Sequence, residues 1–158
     1  MRLIDYVVPE AIILDMKATT KDEAIQEIVE TLATAGIIEP GGIASAIKHV
    51  RDREDMMATG CGRGIGFPEV IHPLMRRTCA AIFLARGGID WQALDDQNVD
   101  LLVAFAKVPE RPREFLDMAC LWSRALRNDH LANQLRQAKT REKVIAVIEG
   151  ETHDISPE

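Results

Sequence analysis

The residues with chemistry to offer crowd into one stretch, Thr59 to His72, which holds Gly60, Cys61, Gly62, Arg63, Gly64, Gly66, Pro68, Glu69 and His72. Glycines at alternate positions let backbone amides approach an anion closely, as in loops that cradle phosphates. This run lacks the Gly-Lys-Ser/Thr ending of a nucleotide loop, and its glycines miss the spacing Gly-x-Gly-x-x-Gly. Close packing of the loop backbone is the better account of so many glycines. Cys61 would be a nucleophile only if a cation or a helix N-terminus lowered its pKa and a base stood beside it. Nothing in the sequence positions that base, so a partly buried, unreactive thiol is expected. His49, His72, His130 and His153 are scattered, with no pair at helical ligand spacing and no His-Glu-x-x-His, so neither a metal nor a cofactor is expected. His72, just before Pro73, reads as a surface turn histidine.

The rest of the chain must hold this loop. Its 158 residues suit one domain, and 47% hydrophobic residues with only 4% aromatics imply a core of Leu, Ile, Val, Ala and Met. A formal net charge of −6 opposes polyanions, and Arg76-Arg77 is a local basic spot with no stripe around it, which argues against a nucleic-acid partner. Cys61, Cys79 and Cys120 show no Cys-x-x-Cys spacing and read as free thiols of a reducing compartment. Asp5 and Glu10 interrupt the start before a signal-peptide stretch can form. The longest apolar runs, 79–85 and 101–106, fall far short of the roughly 20 residues a membrane span needs. A cytoplasmic protein with no membrane insertion is expected.

Ala11 to Leu14 reads as a first strand. Thr20-Lys21-Asp22-Glu23 is a capping box opening a helix whose buried stripe is Ala24, Ile25, Ile28, Val29, Leu32 and Ala33. A second amphipathic helix follows Pro40-Gly41-Gly42 and ends near Arg53, and the loop from 57 to 73 carries one short strand through Ile65 to Phe67. Thr78 to Ala85 and Val99 to Lys107 are continuous apolar runs of strand length, closed by Gly87-Gly88 and Pro109. Strands apolar on both faces need helices on both sides of the sheet. Three more helices are expected: one from Pro112 with a stripe through Phe115, Met118 and Trp122, one capped by Asp129, and one capped by Thr140 and stopped by Gly150. The expected fold is therefore α/β, with residues 1–150 as one domain and 151–158 as a polar, mobile tail.

Arg53-Glu54, Thr59-Gly60, Gly64-Ile65-Gly66-Phe67-Pro68, the turn Gly88-Ile89-Asp90-Trp91 and the strand 99–107 form an ordered series along nearly the whole chain. The series resembles the enzyme IIA domain of the fructose, mannitol and nitrogen-regulatory class of the bacterial phosphotransferase system. That resemblance implies a three-layer α/β/α domain with a small mixed sheet. It also implies a site. The family reads Gly-Ile-Ala-Ile-Pro-His, where the histidine takes a phosphoryl group from a carrier protein, and a second histidine opens a later helix in a His-Leu pair. Here Glu69 follows Pro68, and Phe115 precedes Leu116, so both imidazoles are missing. Arg53 matches the family arginine that steadies the phosphorylated histidine, and Thr59-Gly60 matches the segment lining the site.

The reaction needs a neutral ring nitrogen as nucleophile, whereas a carboxylate repels a dianionic phosphoryl donor. The expected function is therefore regulation through a protein partner, at a surface formed by Arg53, Thr59, Gly60, Glu69 and His72, with no catalytic residue and with Glu69 paired to Arg53 in place of an arginine–phosphate contact. Two alternatives stand beside it: phosphoryl transfer through His72 or Glu69, and a small-anion sensor using Arg53 and the loop amides.

Overall fold

The computed structural model describes residues 1–151, so the expectation for the tail falls, beyond Glu151, outside the described residues. A short 3₁₀ turn, Leu3–Tyr6, leads into β1 (Val7–Ile13), followed by α1 (Lys21–Thr34) and α2 (Ile43–Met56). Three short strands then occupy the glycine-rich stretch: β2 (Gly60–Gly62), β3 (Ile65–Gly66) and β4 (Glu69–Ile71). The long strands β5 (Cys79–Ile89) and β6 (Val99–Lys107) precede α3 (Pro112–Ala125), α4 (Asp129–Gln137) and α5 (Arg141–Glu149).

The sheet is mixed, in the order β1-β5-β6-β3-β2, with β4 also pairing β6. Strand β5 runs parallel to β1 and antiparallel to β6. Along the far edge of β6, Ile65 pairs with Leu101 and Gly66 with Leu102, and the same register resumes with Glu69 on Phe105 and Ile71 on Lys107. Residues 65 to 71 thus form one extended segment, broken at Phe67-Pro68, where Pro68 has no N–H to give the ladder. The Pro68 carbonyl still accepts from the Phe105 N–H at 2.8 Å. This break presents Glu69 at the start of β4.

Alternation along β5 and β6 divides the core into two layers, as the period of a strand requires. Cys79, Ala81, Phe83, Leu102, Ala104 and Ala106 pack with α1 and α2 on one face. Ala80, Ile82, Leu84, Leu101, Val103 and Phe105 pack with α3, α4 and α5 on the other. Residues buried on both faces explain why these strands are continuous apolar runs.

Several local readings change. The first strand begins at Val7, four residues before the expected Ala11. Gly87-Gly88 does not end β5, which runs on to Ile89, so the expected turn begins only beyond that residue. Instead the register jumps from Leu84 opposite Leu101 to Ile89 opposite Val99, and residues 85–88 bulge opposite Asp100 alone. Thr20 accepts the Glu23 N–H at 3.2 Å, but the Glu23 carboxylate takes the Thr20 hydroxyl, leaving half a capping box. Asn128, not Asp129, caps α4 by accepting from the His130 N–H.

Candidate functional site

Arg53 and Glu54 lie in the last turn of α2, and consecutive side chains on a helix diverge, so the two serve different surroundings. Arg53 Nε donates to Glu69 Oε2 at 3.1 Å, and its Nη1 donates to the Met57 carbonyl at 3.0 Å. The second bond satisfies a carbonyl at the helix end, where a cation is also favoured by the macrodipole. Glu69 shares the register and face of Phe105, so it points to the α3 side while Val70 joins the core under α2. Arg53 meets it at the sheet edge.

Glu54 turns inward and is buried. Its carboxylate accepts the Thr59 N–H at 3.0 Å and the Thr59 hydroxyl, and pairs with Lys21 Nζ at 3.0 Å. Lys21 Nζ also donates to the Trp91 carbonyl at 3.3 Å and sits 5.1 Å above the Trp91 ring. Trp91 Nε1 closes the circuit by donating to Thr59 Oγ1 at 3.4 Å. Because the Thr59 carbonyl accepts from the Phe67 N–H at 3.1 Å, this network positions the chain that leads to Glu69. At Gly60 a Cβ would lie 2.7 Å from Ala93 Cβ, so only glycine lets the Trp91–Ala93 segment lie against β2. Close packing is thus what this glycine serves.

In the sequence Glu54 stands out only as half of Arg-Glu, and Lys21 only as part of a helix cap. The usable signal was a carboxylate one position from the arginine, with a hydroxyl residue five further on.

Phe115 is buried and makes an edge contact with Phe105, centroids 6.0 Å apart, and Phe105 stacks on Phe67 at 5.3 Å. Lys107 Nζ lies 3.9 Å over the Phe115 ring. The surroundings of Phe115 are therefore hydrocarbon covered by an ammonium group, which offers no proton acceptor to a neighbour of Glu69.

His72 lies apart. Alternation sends it to the α2 side with Val70, where Nδ1 accepts from the Leu74 N–H at 3.0 Å and Nε2 meets Ser45 Oγ at 2.6 Å. With Nδ1 accepting, the neutral ring carries its proton on Nε2 and donates it to the serine. Both nitrogens are occupied. Cys61 is exposed, not partly buried as expected; its Sγ lies 3.4 Å from the Ile65 carbonyl, and desolvation by the surrounding loop pushes its thiol pKa up against the opposing pull of Arg63. That keeps it a thiol, not the nucleophilic thiolate. The structure therefore brings Arg53 and Glu69 together, sets Thr59 and Gly60 behind them with Glu54, and leaves Phe115 in the adjoining aromatic cluster and His72 on the opposite face.

An α/β/α sandwich around a mixed sheet of this order is the fold of solved enzyme IIA structures. The family model described as the phosphoenolpyruvate-dependent sugar phosphotransferase system EIIA 2 matches residues 6–151, and the chain belongs to that family. It is 24% identical over 148 residues to the nitrogen regulatory protein of Bradyrhizobium diazoefficiens, covering 94% of this chain and 95% of that one. It is also 24% identical to the fructose-specific EIIABC component of Bacillus subtilis, of which it spans only 23%. In fold it is similar to the nitrogen regulatory protein IIA-Ntr of Neisseria meningitidis, with a TM-score of 0.81, 19% identity and coverage of 92% and 98%. The mannitol enzyme IIA of Escherichia coli, in a complex with phosphorylated enzyme IIB, gives a TM-score of 0.76 at 22% identity, with coverage of 92% and 98%. Among the described residues no helix is long and apolar enough to cross a membrane.

Proposed function

We propose that this chain is a cytoplasmic regulatory member of the EIIA family that recognises a protein partner at the Glu69 edge and is not phosphorylated at the family position. The observation that carries this reading is the Arg53–Glu69 pair, in which a carboxylate takes the guanidinium that the resemblance assigns to a phosphohistidine. The likeness to a phosphate is partial, since a carboxylate carries one negative charge and a phosphoryl group about 1.5 to 2. Exposed hydrophobic side chains lie on the elements that carry Arg53 and Phe115. Met56 and Met57 sit where Arg53 closes the helix, and Leu116 follows Phe115 on α3. Methionine adapts its shape to a partner more readily than branched residues do. The mannitol relative seen in a complex with phosphorylated enzyme IIB supports a protein as the partner.

The phosphoryl-transfer alternative would have to use a histidine whose ring nitrogens are both engaged, or a carboxylate already paired with arginine. Incubation with phosphorylated carrier protein, followed by intact-mass measurement, tests the proposal. The wild-type chain should show no added phosphoryl group. A double variant, Glu69→His with Phe115→His, restores both imidazoles and should gain one. Stoichiometric uptake by the wild type would overturn the reading.

A further inference from the structure

A second polar site lies at the other end of β6, independent of the Glu69 edge. Asp100 and Phe105 are five residues apart on that strand, which places the two regions about 16 Å from each other along it. Here Arg63, Arg86 and Arg136 line a cleft of about 460 Å³ with Gln97, Asn98 and the backbone of Gly64, Gly87 and Gly88. Three separate elements supply the guanidinium groups: the β2–β3 turn, the β5 bulge and α4. In a chain of net charge −6 such convergence of cations is not a consequence of composition.

The guanidiniums are fixed mainly by carbonyls. Arg86 donates through Nη1 to the Arg136 carbonyl at 2.9 Å and through Nη2 to the Ala138 carbonyl at 3.0 Å. Arg136 donates through Nη2 to the Arg63 carbonyl at 2.6 Å, and Arg63 through Nη2 to the Leu126 carbonyl at 2.6 Å. Carbonyl oxygens orient a guanidinium without cancelling its charge, and the two bonds of Arg86 leave three of its five N–H donors for another acceptor. Two carboxylates oppose: Asp100 pairs with Arg136 Nε at 2.9 Å, and the solvent-facing Asp129 pairs with Arg63 at 2.5 Å. Asp95, outside the lining, is held by the amides of Arg63 and Gln97.

Backbone geometry is arranged around the same cleft. The β2–β3 turn takes the primed form, with Arg63 at φ 58° and Gly64 at φ 75°, and a Cβ on Gly64 would strike Arg136 Nη2 and Asp100 Oδ1 at 2.9 Å. Above Gly87 the space is open.

We infer that this cleft binds a small phosphate-bearing molecule, because rigid planar guanidiniums with amide donors beside them match phosphate oxygens, and because its volume lies in the range of small-molecule sites. Calorimetry and thermal melts should be run with inorganic phosphate, a hexose 6-phosphate and, at matched ionic strength, chloride. Saturable binding of a phosphate compound is expected, with no saturable response to chloride. Tighter binding of the ester would identify an ester ligand, and equal binding would identify phosphate itself. Arg86→Gln should weaken binding at least tenfold. Asn98→Asp, which leaves the arginine–carbonyl bonds in place and adds a negative charge, should do the same. Arg76→Gln removes an equal charge elsewhere and should retain binding. No saturable response from either phosphate compound would overturn the inference. So would binding that survives both cleft variants and disappears in Arg53→Ala.

Discussion

Arg53 and Glu54 are sequence neighbours on one helical turn, yet each anchors an ion pair of different physical character. Arg53–Glu69 is a rim pair, with side chains 37% and 24% exposed, whereas Lys21–Glu54 lies inside, at 16% and 2%. Water screens the first and leaves its energy small. The second has lost its hydration and is retained only because Thr59, Lys21 and Trp91 satisfy it together. A rim pair is free to exchange its arginine with an approaching group, while the inner network keeps the strand that presents it still. The division of labour between adjustable edge and fixed support follows from burial alone.

The largest effect should come from breaking the support. Glu54→Ala strands the Lys21 charge and the Thr59 N–H, and should lower the unfolding free energy by about 3–5 kcal/mol, measured by urea denaturation. A loss below roughly 1 kcal/mol, the scale of exposed pairs, would erase the contrast with the rim.

A buried ionisable group without such partners sharpens it. Burial pushes the Cys79 thiol up to about 12, whereas a thiol in the unfolded chain titrates near roughly 8.5. Between those values the folded chain holds a proton that the unfolded chain has lost. The contribution of Cys79 is therefore complete below about pH 8.5 and falls by about 1.4 kcal/mol per pH unit up to the folded value. Cys79→Ala should unfold with a shallower alkaline slope than wild type. Parallel slopes would show that desolvation does not control this thiol.

Arg53→Ala should have the smallest effect on stability, less than about 1 kcal/mol, because both partners meet solvent. A melting temperature lowered as far as in Glu54→Ala would mean that rim and support are one rigid unit.

Local signals in the chain named most elements correctly. The capped stripe of α1, the apolar runs of β5 and β6 and the Pro112 start of α3 depend on near neighbours in sequence, so their chemistry is legible there. The Gly87-Gly88 reading failed because a glycine pair in a strand can be a turn or a bulge, and only the register against β6 decides which. The missed strand β4 is three residues long and gains its identity from pairing with β6. Glu54 and Lys21 were invisible as a pair, since 33 positions separate them in the chain.

By itself the sequence determined the α/β class, the two-faced burial of the long strands, and the absence of imidazole at positions 69 and 115. Those are properties of residue type and short-range spacing. Tertiary structure alone decided that Glu69 would meet Arg53, that His72 would turn to the opposite face with both nitrogens engaged, and that three arginines from distant segments would share a cleft. Each of these depends on strand register and on which side of the sheet a residue emerges. A shift of one residue would reverse the side, and no local pattern specifies the pairing.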